Sequence, residues 1–259
     1  MDHRKTEQLI DTLDKVEQNR KECYIREFSI EHFHDSKVFE TLIPKICKIF
    51  REENEELTGF ENEEILAEYQ IYKTPGYVYM KGNVQIYSAG KQAADISAFP
   101  EGIAVAVGSE EDVPDICPDQ TIDKVFTIEN LTSFYRFKQE HSLVIYLGGY
   151  HNHSRRNLLM QIYQKLPDAQ YYHFGDLDAG GFYILEHLKR KTGIPFQMFQ
   201  MDIETLKKYE DYAKPLTEND KKRLMQLEKM ELPDEERKLI TYMLQKGIKL
   251  EQECISESQ

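Results

Sequence analysis

From Lys124 onward the chain alternates between two periodicities, and that alternation constrains the fold more than any other feature. Val125-Phe-Thr-Ile128 is a short apolar run rich in β-formers, followed by a helical stretch over 132–139. Ser142 to Leu147 is a second strand, closed by Gly148-Gly149, and 155–165 has apolar residues at 158, 159, 162, 163 and 166, a helical spacing. Gln170 to Phe174 is a third strand, broken at Gly175, and 181–192 is helical with Phe182, Leu185 and Leu188 on one face. A fourth strand over 195–200 and a helix over 203–209 complete the series. Strands alternating with helices of this length predict right-handed β-α-β crossovers and a mainly parallel, Rossmann-like sheet.

The flanking segments differ. Residues 3–20 form a polar helix, 26–33 alternate weakly, 36–53 carry helical periodicity, and a short helix is expected near 61–69. Tyr77-Val-Tyr-Met80 and Val84-Gln-Ile-Tyr87 flank Lys81-Gly82-Asn83, the chemistry of a hairpin. Helices followed by a hairpin suit a winged-helix-like α+β module. The segment 221–252 reads as two charged amphipathic helices broken near Leu232-Pro233. The expected organisation is therefore a small α+β module over 1–120, an α/β domain over 121–212 and a helical tail over 213–259.

The formal charge of −13 is unevenly placed: residues 1–123 carry −13, 124–212 carry +1 and 213–259 carry −1. An acidic first part cannot draw nucleic acid in by a long-range field. It is either a solvated acidic surface or a docking face for a basic partner. No apolar run is long enough to span a bilayer, and the four scattered cysteines (Cys23, Cys47, Cys117, Cys254) read as reduced thiols, so a cytoplasmic protein without structural zinc is expected.

Three carboxylates stand where an α/β sheet places its ligands, just past the carboxyl ends of strands. Glu129 follows the first strand, and Asp176 and Asp178 follow the third, two apart, so that in an extended segment both point to the same side. If those strands are neighbours, the three converge and repel one another unless a cation sits between them. An all-oxygen donor set selects a hard ion, Mg²⁺ or Mn²⁺, suited to phosphate chemistry. Gly175, Gly180 and Gly181 leave room for a phosphate or metal, and Gly181 is placed to open a helix whose N-terminus favours an anion. A lone D-x-D is commonly a solvated turn; here the glycines and the strand-end glutamate accompany it. Other motifs fail: His187 stands where an EF-hand loop begun at Asp176 needs its last glutamate, no G-x-x-x-x-G-K-[ST] exists, and His151-Asn152-His153 lacks the ββα dispersion of an HNH nuclease.

Glu129-Asn-Leu-Thr-Ser-Phe134, Tyr146-Leu-Gly-Gly-Tyr-His-Asn152 and His173-Phe-Gly-Asp-Leu-Asp-Ala-Gly-Gly-Phe182 resemble the C-terminal Toprim domain of the JetD family, the nuclease subunits of bacterial Wadjet plasmid defence. The likeness extends through His34-Asp-Ser-Lys37 and Leu250-Glu-Gln-Glu253, and is more distant to the A subunits of type IIB topoisomerases and to the meiotic break-forming proteins. It implies a Toprim fold and a homodimer that cleaves closed circular double-stranded DNA alongside a condensin-like SMC complex. It implies that Glu129, Asp176 and Asp178 bind metal and are catalytic, with Glu251 and Glu253 as candidates for a further ligand. Members carry a longer N-terminal arm, which implies a fragment or a shortened form here. Lys124, Arg155, Arg156 and His151 are candidate contacts to DNA phosphates. Two rivals stay open. One is a non-enzymatic DNA- or protein-binding subunit. The other is a transesterase using one of Tyr69, Tyr72, Tyr77, Tyr79 or Tyr87, although none of these sits in a matching motif, and packing explains them more simply.

Overall fold

A computed structural model describes residues 3–54, 57, 60–73, 76–107, 114–148 and 153–255. The chain folds as a mixed α/β protein whose contacts group into two compact units. One comprises 1–76, 106–113 and 152–155, the other 77–105, 114–151 and 156–259.

In the first unit, helix α1 (His3–Gln18) precedes strand β1 (Cys23–Tyr24), helices α2 (Ile25–Phe33), α3 (Val38–Glu53) and α4 (Asn62–Glu68), and strand β2 (Ile71–Tyr72), which pairs in parallel with β1. Residues 26–33, which alternate weakly in sequence, are helical. Their buried positions are Ile25, Phe28 and Ser29, an i, i+3, i+4 face, and the Glu27 carboxylate accepts from the Tyr24 N–H at the helix start. The core includes Phe28, Phe39, Ile46, Phe50, Ile65 and Leu66.

The second unit is built on a six-stranded sheet. Its strands are β3 (Gly76–Lys81), β6 (Ile103–Val107), β8 (Lys124–Ile128), β9 (Ser142–Tyr146), β10 (Gln170–Phe174) and β11 (Gln197–Met198), in the spatial order β11-β10-β8-β9-β3-β6. The pairs β8–β9, β8–β10 and β10–β11 are parallel, and β3 lies antiparallel to β9. Helices α5 (Leu131–Arg136), α6 (His153–Lys165), α7 (Ala179–Thr192) and α8 (Ile203–Lys208) connect and follow the parallel strands. Near-continuous burial along β8, β9 and β10 is what a parallel sheet covered on both faces requires. The fourth parallel strand is shorter than its apolar run: Pro195 has no N–H to donate and Gln200 takes the left-handed conformation, so only Gln197 and Met198 pair regularly.

The hairpin expected around Lys81-Gly82-Asn83 does not form. Strand β3 joins the six-stranded sheet, whereas β4 (Val84–Ser88) pairs with β5 (Lys91–Asp95) and β7 (Asp115–Pro118) in a separate three-stranded sheet. Gly82 is the reason: its φ is +139°, and a Cβ there would lie 2.5 Å from the Ser142 carbonyl oxygen. The glycine lets the chain pass hard against the start of β9 instead of turning back on itself.

The C-terminal segment is more than a helical appendage. Helices α9 (Glu218–Leu227) and α10 (Asp234–Lys246) are bracketed by strands β12 (Lys214–Pro215) and β13 (Ile248–Lys249), which pair antiparallel. Leu224, Leu227, Leu239, Ile240, Met243, Leu250 and Ile255 share one core with Phe126, Ile128, Phe174 and Phe182 of the sheet and α7. Among the described residues no helix is long and apolar enough to cross a membrane.

Candidate functional site

Strand β8 is the pivot of the parallel sheet. The chain leaves it for β9 on one side, and crosses over to β10 on the other. Such a change of direction opens a crevice at the carboxyl ends of the strands, where α/β proteins bind ligands. Glu129 and Gly175 are the first residues beyond β8 and β10, and the Glu129 N–H still donates to the Phe174 carbonyl at 3.1 Å. The Glu129 carboxylate turns back across this pair: its Oε2 lies 3.3 Å from the Asp176 N–H donor nitrogen. Gly175 permits this, because a Cβ there would stand 2.6 Å from Glu129 Oε2 and 2.9 Å from the Nε2 of buried His173. The room that Gly175 provides is thus filled by a carboxylate of the chain itself.

Asp176 is half-buried and its Oδ1 accepts from the Gln252 N–H at 2.7 Å. Burial pushes its carboxyl up to about 6; the Gln252 hydrogen bond opposes that, while Asp178, Glu253 and Glu251 add repulsion. Asp178 is the N-cap of α7, its Oδ1 accepting from the Gly181 N–H at 2.9 Å. Helix α7 therefore begins two residues before the expected Gly181, and the anion at its N-terminus is Asp178. Gly181 serves close packing: a Cβ would fall 2.2 Å from the Asp176 carbonyl oxygen.

The C-terminal segment closes the crevice. Leu250 and Leu177 exchange N–H···O bonds of 2.9 and 3.1 Å, setting residues 251–253 beside the Asp176 turn. Glu251 pairs with Lys214, and the Asn130 side-chain amide donates to Glu253. Gln252, fully buried, reaches inward: its Oε1 accepts from the Asn130 N–H at 2.8 Å and its Nε2 donates to the Phe174 carbonyl at 3.1 Å. Sequence reasoning missed Gln252. It lies 122 positions from Asn130, and although it stands inside Leu250-Glu-Gln-Glu253 the two glutamates of that run drew the attention; the Leu177–Leu250 bridge brings it in.

Glu129 thus meets the Asp176 backbone at adjacent strand ends, and Asp178, Glu251 and Glu253 lie near enough to repel the Asp176 carboxylate. The donor set is all oxygen, which suits a hard divalent cation. Glu129, Asp176 and Asp178 each lean on a backbone N–H, and among the described residues no three His, Cys, Asp or Glu side chains are drawn into a metal-ligand cluster. Each of these hydrogen bonds engages one oxygen of its carboxylate, Glu129 Oε2, Asp176 Oδ1 and Asp178 Oδ1.

The candidate phosphate contacts come from other elements. Lys124 begins β8, so about 16 Å of extended strand separates it from Glu129. Arg155 and Arg156 stand in the first turn of α6, Arg155 half-buried and Arg156 only 7% exposed. His151 lies outside the described residues. Among the tyrosines, Tyr69 stacks on Phe50 with ring centroids 4.6 Å apart, Tyr72 is buried, Tyr77 is exposed on β3, and Tyr79 packs edge-on against Tyr146. Tyr87 hydrogen-bonds Gln85.

Comparison with known proteins adds the decisive observation. The family model for the C-terminal part of Wadjet protein JetD matches residues 111–259, more than half of the chain. The chain belongs to the JetD family. Over 254 residues it is 29% identical to the Wadjet protein JetD of Bacillus cereus (strain Q1), covering 96% of this chain and 61% of that protein. It therefore spans less than two thirds of the JetD relative. The JetD match takes in β8, the carboxylate turns and the closing C-terminal segment together.

Proposed function

We propose that the crevice is a Toprim-type metal centre and that the chain acts, within a Wadjet-like defence complex, as an endonuclease on closed circular double-stranded DNA. The observation that carries this reading is the meeting of Glu129 and Asp176 at the ends of adjacent parallel strands, with Asp178 two residues on and Glu251 and Glu253 opposite. Glu129, Asp176 and Asp178 would hold Mg²⁺ or Mn²⁺, with Glu251 or Glu253 as a further ligand. When bound, such an ion neutralises phosphate charge and acidifies water. The chain's own contribution is positional. Asp178 holds the start of α7 in place, Gly175 and Gly181 let the two turns close up, and Glu129 would serve either as a metal ligand or as the general base for an attacking water. A homodimer carrying two such centres could cut both strands, with a condensin-like SMC partner supplying the DNA.

The test uses the full-length protein with its SMC partners and supercoiled plasmid. Linear or nicked product is expected with Mg²⁺ or Mn²⁺, none with EDTA, and none from Asp176→Ala. Intact plasmid while the metal site is occupied overturns the assignment. A second reading, a non-enzymatic binding subunit, draws support from the side chains as they stand: among the described residues no three His, Cys, Asp or Glu are grouped to hold a metal. It expects no measurable Mn²⁺ affinity, and partner binding that survives Glu129→Gln and Asp178→Asn.

A further inference from the structure

The two carboxylate-bearing turns belong to different strands. The Glu129–Asn130 turn leaves β8, and the Gly175–Asp176 turn leaves β10. Beyond the last ladder bond, from the Glu129 N–H to the Phe174 carbonyl, one direct link is the long contact of Glu129 Oε2 with the Asp176 N–H at 3.3 Å. Gln252 spans both. Its Oε1 takes the Asn130 N–H, its Nε2 gives to the Phe174 carbonyl, and its own N–H gives to Asp176 Oδ1. One fully buried residue thus makes three hydrogen bonds of 2.7 to 3.1 Å across the gap. A primary amide suits the place because one end must accept and the other donate. A carboxylate would face the Phe174 carbonyl with a second acceptor, and an aliphatic side chain would take from the Asn130 N–H its acceptor and leave the Phe174 carbonyl only the Glu129 N–H.

We propose that Gln252 is a positioning residue that fixes the distance between the Glu129 and Asp176 carboxylates, and that the C-terminal segment is thereby part of the metal centre. The clamp itself stands on hydrogen bonding alone; its consequence for metal rests on the reading under Proposed function. Buried partners of ligands characteristically act this way, setting ligand geometry without touching the ion.

The experiment compares the full chain with Gln252→Met, which keeps the volume and loses both side-chain hydrogen bonds. Amide exchange followed by NMR is expected to accelerate at least about tenfold at Asn130 and to stay unchanged at Val125 and Val144 in mid-sheet. Mn²⁺ affinity, read by electron paramagnetic resonance, is expected to fall about ten- to a hundredfold. A purely structural residue would lower the melting temperature and leave Mn²⁺ affinity where it was; that result overturns the proposal. Unchanged exchange at Asn130 overturns the clamp alone. A parent protein that binds no Mn²⁺ overturns the metal reading and the positioning role with it. A readout that needs no variant to fold is the Gln252 side-chain amide of the parent, expected to exchange far more slowly than that of an exposed glutamine. Exchange at the exposed rate sinks the inference.

Discussion

Replacing Gly175 by alanine tests the closeness of the two turns. The added Cβ would lie 2.6 Å from Glu129 Oε2 and 2.9 Å from His173 Nε2, whereas ordinary contact begins near 3.4 Å. His173 is fully buried, its Nδ1 3.0 Å from Thr127 Oγ1, so the imidazole has little room to give way. The Glu129 carboxylate yields instead, by about 0.8 Å, the difference between 3.4 and 2.6 Å, and releases the Asp176 N–H. Overpacking at this scale costs about 1–3 kcal/mol, and the weakened hydrogen bond adds about 0.5 kcal/mol. With about 2 kcal/mol lost in a chain of this size, the melting temperature falls by about 4–8 °C. The same displacement, close to an ångström, lowers plasmid cleavage about a hundredfold. Calorimetric melts and plasmid linearisation by Gly175→Ala, side by side with the parent, give both numbers. A variant that melts within about 1 °C of the parent and cuts at the parental rate refutes the placement of Glu129 against Gly175.

Three further outcomes follow from the same contacts. Gly181→Ala places a Cβ 2.2 Å from the Asp176 backbone oxygen, which no rotamer relieves, so the cost reaches about 3 kcal/mol or more and chemical denaturation shows a larger loss than for Gly175→Ala. Asn130→Ala removes the cap that accepts from the Thr132 and Ser133 N–H groups, costing about 1 kcal/mol and about 2–4 °C in melting temperature. His187 is buried and held neutral, its pKa lowered from 6.5 to about 3 by burial, with Arg156, Lys191 and Arg190 adding repulsion. The unfolded chain therefore binds a proton at His187 that the folded chain refuses: its contribution is present above pH 6.5 and is lost as the pH falls towards about 3. Urea midpoints measured down that range should drop less steeply in His187→Leu than in the parent.

The parallel sheet and its strand-end carboxylates were legible because they follow from local periodicity. Runs such as Val125–Ile128 and Gln170–Phe174 are short, apolar and bounded by turn residues, so the positions of Glu129 and Asp176 past their ends came with the strands themselves. What was not legible depended on contacts between distant segments. Lys81-Gly82-Asn83 has turn chemistry, yet the close approach of Gly82 to Ser142 sends β3 and β4 into different sheets. Residues 26–33 alternated too weakly to reveal that Ile25, Phe28 and Ser29 form one helical face. Arg156 reads as a surface cation and is buried, while Lys124 lies at the wrong end of its strand. The glycines around the D-x-D pair were legible as glycines, but what they admit is the chain's own Glu129 carboxylate and Asp176 carbonyl. Gln252 lies within the Leu250-Glu-Gln-Glu253 run, yet nothing local shows that its side chain turns inward; that follows from the pairing of Leu250 with Leu177.

The most direct measurement is anomalous scattering from crystals of the full chain soaked in Mn²⁺. A peak within about 2.3 Å of oxygens from both Glu129 and Asp176, with Asp178 or the 251–253 segment completing the shell, is the expected result. Saturating Mn²⁺ with no peak in the crevice, and Glu129 and Asp178 still resting on the N–H groups of Asp176 and Gly181, would contradict it.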